Sequence, residues 1–213
     1  MMLWYKITEI GGINILGPLA LMIAVWLLLE RRWRLAWIWC WMYGGGLALV
    51  VATKIAFIGW GYGIQSLDFT GLSGHAMRAM CALPVLGWLL FYRAGNVWRN
   101  LAGGLGLVAG GLISYSRLVV HAHSVSEVLA GGALGLGLAV WFLVLVGARQ
   151  RFAWNQWLAV VSLLGFVSTP YVPSAPTHSL LVRVTLQLTG HPRPFVREGW
   201  RYDPYYSSQK ILK

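Results

Sequence analysis

The chain has 213 residues, 58% of them hydrophobic and 11% charged, with a formal net charge of +11. A soluble domain carries roughly 25% charged residues, so this composition excludes an ordinary water-soluble enzyme and predicts a polytopic helical membrane protein. Most basic residues fall in short loops or in the C-terminal tail. Orientation in a membrane accounts for the loop charges, and nucleic acid is not an expected partner.

The apolar residues are arranged in runs close to the ~20 residues that cross a bilayer core. In chain order they predict six spanning segments: Gly11–Leu29, Leu35–Gly59, His75–Tyr92, Leu101–Tyr115, Ser124–Val146 and Trp154–Val172. The runs are continuously apolar and lack period-two alternation, which argues against a β-barrel. Thirteen Trp and nine Tyr, many near run ends, fit an interfacial belt. Cys40 and Cys81 lie inside apolar runs and read as buried small hydrophobes.

Arg31, Arg32 and Arg34 follow the first run, Arg93 and Arg99 the third, and Arg149 and Arg151 the fifth. The positive-inside rule then places these loops in the cytoplasm and the N-terminus outside. On the same reasoning the tail, residues 173–213, is external, although it carries Arg183, Arg193, Arg197, Arg201, Lys210 and Lys213. The tail is rich in proline, and Val182–Leu188 alternates like a short strand or a segment lying on the membrane surface. Glycines and alanines crowd the third, fourth and fifth segments, which predicts close backbone approach among those three helices.

Polar residues are expensive in such a chain, and here they converge. Lys54 lies near the outer end of the second segment, Ser73 and His75 open the third, Ser116 and Arg117 close the fourth, and His123 and Glu127 open the fifth. The topology puts all of them at the outer side of the membrane, so a single site is expected there. Read singly, Lys54 is a side chain that snorkels to the interface, and Glu127 is a favourable charge at a helix N-terminus.

Lys54, then Leu72-Ser73-Gly74-His75, then Ser116-Arg117 with five residues before His123 and three more before Glu127, resembles the type 2 phosphatidic acid phosphatase (PAP2) superfamily. Its pattern is a Lys-x6-Arg-Pro element, a Pro-Ser-Gly-His element and a Ser-Arg-x5-His-x3-Asp element. The resemblance covers residues 35–146, inside an expected transmembrane domain of residues 1–172. Three departures stand out: Leu72 replaces the proline, Glu127 replaces the aspartate, and Gly61 stands where the first element has its arginine.

The resemblance implies a metal-independent hydrolase of phosphoric monoesters or diphosphates that works through a phosphohistidine and needs no cofactor. His123 would be the nucleophile, Glu127 would orient its imidazole, and His75 would protonate the leaving oxygen and then activate water. Lys54, Arg117, the Ser73 hydroxyl and the Gly74 N–H would hold the phosphoryl oxygens. Arg78, three residues after His75, could reach the phosphate in place of the arginine missing at Gly61, or pair with Glu127, or meet lipid headgroups. His121-Ala122-His123 with Glu127 would suit a metal only in irregular backbone, because residues 121 and 123 diverge on a helix. His178 and His191 in the tail read as solvated. The implied partners are the bilayer and a phosphorylated lipid, in a bacterial inner membrane with the site facing the periplasm or outside. Phosphotransfer to another acceptor, or binding of an anionic lipid without turnover, are the alternative functions.

Overall fold

The computed structural model of the protein describes residues 1–147 and 177–206. It is an all-α bundle in which α1 (Met2–Ile10), α2 (Ile13–Leu29), α3 (Trp33–Trp60), α4 (Gly74–Leu90), α5 (Asn96–Val119) and α6 (Val125–Gly147) are followed by α7 (Thr177–Thr189). The two-stranded hairpin β1 (Phe195–Val196) and β2 (Arg201–Tyr202) ends the described chain. Four stretches, Met2–Leu29, Trp33–Trp60, Asn96–Val119 and Val125–Gly147, are long and apolar enough to cross a membrane. The expected sixth segment, Trp154–Val172, lies outside the described residues.

At 17 residues α4 is only about 25 Å long, short of a ~30 Å hydrocarbon core. It is the interior helix: Ala76, Met77, Ala79, Cys81, Ala82, Val85 and Leu89 have no exposed surface. The small residues read from the sequence make this enclosure possible. A methyl group on Gly106 would run into the Leu83 carbonyl, and one on Gly135 into the Met77 carbonyl, well inside 3.0 Å in each case. Thus α5 and α6 each press their backbones directly onto α4.

On the other flank, α2 packs on α3. Trp39 Nε1–H donates to the Ala20 carbonyl at 2.8 Å and the Tyr43 hydroxyl to the Leu16 carbonyl at 3.0 Å, so two polar groups in an apolar seam are satisfied by backbone. The outward faces carry Trp37, Trp41, Leu105, Val108, Leu129 and Trp141, all more than half exposed. Cys81 is buried as expected, whereas Cys40 faces outward.

Two further expectations change. The first apolar run is preceded by a separate helix, α1, broken from α2 at Gly11-Gly12. Val182–Leu188 is not a strand but lies within α7. Its buried residues are Val182 and Thr185, three apart, and Thr189 continues that face by touching Gly59 of α3. Thr185 and Thr189 donate their hydroxyls to the carbonyls four residues back, at 2.7 and 2.9 Å. A polar residue can therefore sit on the packed face, which masks the helical period in a hydropathy reading.

Candidate active site

The site lies at the bundle end where α3 finishes, α4 starts, α5 finishes and α6 starts. Its centre is Ser124-Val125-Ser126-Glu127. The Glu127 N–H donates to Ser124 Oγ at 3.4 Å and the Ser124 N–H to Glu127 Oε2 at 3.3 Å, a reciprocal capping box that starts α6. His123 precedes that cap, so it meets Glu127 from the bend before the helix rather than along a helical face. Its Nδ1 is 2.6 Å from Glu127 Oε2. The carboxylate is fully buried, and the pairing fixes the tautomer with the proton on Nδ1, leaving the Nε2 lone pair free.

Glu127 Oε1 is also engaged. It accepts the Thr70 N–H at 2.8 Å, the Thr70 hydroxyl at 2.5 Å, and Arg197 Nη2 at 2.6 Å. The Arg197 fork extends to Thr70 Oγ1 at 3.2 Å and to Asp68 Oδ2 at 3.3 Å. Neither Thr70 nor Arg197 is legible as a site residue in the sequence. The available signal for Arg197 is the basic excess in a tail that the topology makes external.

At the start of α4, Ser73 occupies the N-cap but its hydroxyl caps nothing. It is fully buried, and its Oγ has no hydrogen-bond partner among the described residues. Gly74 opens the helix beside Arg78, whose Nη1 lies 3.1 Å from where a Gly74 Cβ would stand. Arg78 does not pair with Glu127. It is buried, donates from Nε and Nη2 to the Gly11 carbonyl at 3.3 and 3.0 Å, and approaches His75 Nδ1 with Nη2 at 3.4 Å. With Nδ1 of His75 as the acceptor, the proton of the neutral ring sits on Nε2.

Arg117, in the last turn of α5, donates from Nη1 to the Thr8 hydroxyl of α1 at 2.7 Å, while its buried Nε is unpartnered among the described residues. Lys54 on α3 is half-buried. His75 lies within electrostatic reach of Arg117, Arg78, His123 and Lys54. His123 feels Lys54 and Arg117 in turn, and the loop that carries it is outside the spanning helices. Burial pushes His123 below the usual imidazole range, against the opposing pull of the Glu127 hydrogen bond. The expected residues Lys54, Ser73, Gly74, His75, Arg78, Arg117, His123 and Glu127 are thus brought to one end of the bundle.

Gly61 and the tail explain each other. Gly61 ends α3 in the left-handed conformation, φ +71°. Its N–H donates to Phe57 O at 2.8 Å and the Tyr62 N–H to Ala56 O at 3.2 Å, a common way for a helix to stop on glycine. A Cβ there would meet the Phe195 ring at 2.9 Å. His121 is also left-handed (φ 53°) and exposed. His178 is exposed as expected. His191 is not simply solvated: it is half-buried, and its Nδ1–H donates to the Gly59 carbonyl at 2.7 Å.

The model of the PAP2 superfamily matches residues 56–151. Over 200 residues the chain is 36% identical to a Klebsiella pneumoniae protein described as an uncharacterized 22.5 kDa protein in cps region, covering 91% of this chain and 95% of that one. No solved structure matches the chain.

Proposed function

The chain belongs to the PAP2 superfamily, and from that premise we propose that it is an integral-membrane phosphatase that removes phosphate from a lipid phosphate or diphosphate through a phosphohistidine. The observation that carries this reading is the 2.6 Å bond from His123 Nδ1 to the buried Glu127 carboxylate, which leaves Nε2 as the nucleophilic nitrogen. Burial supports the same role, because it favours the neutral imidazole that attack requires.

In the first step His123 Nε2 attacks phosphorus in line, a P–N bond forms and the ester or anhydride P–O bond breaks. His75 enters this step as imidazolium, gives a ring proton to the departing oxygen and becomes neutral. The Nδ1–H stays on Glu127 Oε2 and disperses the positive charge that the phosphorylated ring acquires. In the second step His75 takes a proton from water, the hydroxide attacks phosphorus, and the P–N bond breaks to restore His123. Arg117 Nε and Ser73 Oγ, buried donors without a partner among the described residues, suit the equatorial phosphoryl oxygens, as do the Gly74 N–H and the Lys54 ammonium. Arg78 stands beside His75, its Nη2 3.4 Å from Nδ1, and acts by placing that ring. A lipid substrate fits the setting, since the apolar helix walls let its tail stay in the bilayer while its phosphate reaches the helix ends.

The test is phosphate release from dioctanoyl phosphatidic acid and farnesyl diphosphate by the purified full chain, with acid-labile, base-stable labelling of the protein followed in parallel. Turnover and labelling are both expected, and both should vanish in His123→Ala. Turnover that persists in His123→Ala would overturn the assignment.

A further inference from the structure

We propose that Arg197, carried by the C-terminal hairpin into the space that Gly61 leaves open, is a positioning residue for the Glu127–His123 pair. The inference rests on the phosphatase reading above, and adds to it a tail segment that sequence motifs do not reach.

The two oxygens of Glu127 have separate duties. Oε2 holds His123 at 2.6 Å, while Oε1 is gripped by Thr70 and by Arg197 Nη2 at 2.6 Å. Arg197 is itself held on its second nitrogen, with Nη1 at 3.3 Å from Asp68. A planar fork bound at both tips fixes the direction of the carboxylate it touches. Only 36% of the Arg197 side chain is exposed, so this is a sheltered contact rather than a solvated surface pair.

The hairpin is docked by several independent contacts. Phe195 meets Phe57 of α3 edge-on at 5.5 Å, and Trp200 meets the same ring at 5.1 Å. The His191 bond to Gly59 O anchors the approach, and the Asp203 N–H closes the hairpin on Pro194 O at 2.8 Å. A side chain at position 61 would collide with the Phe195 ring. Two of the departures from the family pattern therefore fall on the two ends of one device. Gly61 admits the hairpin, and Glu127, one methylene longer than the usual aspartate, spans from His123 to the guanidinium that the hairpin brings.

His123 is faced by Glu127 from α6, Lys54 from α3, His75 from α4 and Arg117 from α5. Arg197 acts on it through Glu127. Removing the guanidinium takes the neighbouring positive charge from the carboxylate, which strengthens the hold of His123 on a proton, and leaves Thr70 alone to direct Oε1. Arg197→Ala in the full chain is therefore expected to lower kcat about 10- to 100-fold while KM changes little. The acid limb of the pH–rate profile should move up by about half a unit or more, and millimolar guanidinium should restore part of the rate. Arg193→Ala, an exposed tail change, should leave rate and profile as in the wild type. Wild-type turnover and profile in Arg197→Ala, or a raised KM with an unmoved profile, would overturn the proposal. Arg197→Lys, which keeps the charge but loses the fork, should give the same shift at smaller size, and a wild-type profile there also counts against it. Titration of the His123 ring by NMR in wild type and Arg197→Ala needs no turnover: an unchanged midpoint defeats the role of Arg197, whereas absent phosphate release by the wild type defeats only the hydrolase reading.

Discussion

Ser73 holds a hydroxyl with no exposed surface and no partner among the described residues, at the N-cap of a helix where serine ordinarily closes a backbone bond. A buried donor left this way costs about 1–3 kcal/mol, a cost that a bound phosphoryl oxygen would offset. Glu127 is the opposite case, equally buried and satisfied at both oxygens. Deleting the two groups should therefore have different signatures. Ser73→Ala is expected to leave the detergent melting temperature unchanged or raised, because no described residue loses a partner. Its KM for a lipid phosphate should rise about tenfold, the equivalent of one charge-assisted hydrogen bond at about 1.4 kcal/mol. A lowered melting temperature with unchanged KM would make the hydroxyl a structural group instead.

At the scale of elements, the geometry of the site depends on how closely α5 and α6 approach α4. Gly131 lies against the backbone of Ser73 and Gly135 against the Met77 carbonyl one turn deeper, while Gly137 on the same helix faces open space. Gly135→Ala must push α6 off α4 and should cost about 1–3 kcal/mol, whereas Gly137→Ala should be tolerated. Thermal unfolding of the two variants in one detergent checks this, and equal stabilities would mean that the seam has slack. The seam was legible in the sequence as a crowd of small residues, and the first, second, fourth and fifth apolar runs match helices long enough to span because membrane burial demands long continuous hydropathy, whereas the third became the short interior helix α4. The Ser-Gly-His and Ser-Arg-x5-His-x3 spacings likewise brought their residues to one end, since each sits at a helix terminus. Other features left no local trace. The break at Gly11-Gly12 is hidden in one apolar stretch, α7 hides its packed face behind Thr185, and Arg197 meets Glu127 across 70 residues of chain. That last contact depends on a docked hairpin, and no periodicity reports docking.

Over the whole molecule, charge is distributed in a way that asks for an anion. Lys54, Arg78 and Arg117 converge at one end of an apolar bundle. The nearby carboxylate of Glu127 is already bonded by Arg197, His123 and Thr70, and Asp68 is paired with the same Arg197. Two carboxylates thus share one guanidinium, so among the described residues a single surplus negative charge stands against the three cations. Their mutual repulsion opposes the folded arrangement, and the surrounding low dielectric makes it larger than it would be in water. An anion of matching geometry should relieve it and bind the folded state selectively, adding about 2.7 kcal/mol of stability at a concentration one hundred times its dissociation constant. Inorganic phosphate and orthovanadate, the latter resembling the five-coordinate phosphorus of an in-line attack, are the probes. Both should raise the melting temperature of the full chain above its value in chloride at equal ionic strength, with vanadate the stronger. Arg117→Ala should lose most of that increment, because it removes the guanidinium whose Nε has no partner within the described protein. A shift of the same size in chloride, or one that survives in Arg117→Ala, would mean that the cations are only screened and that the bundle end does not form an oxyanion site.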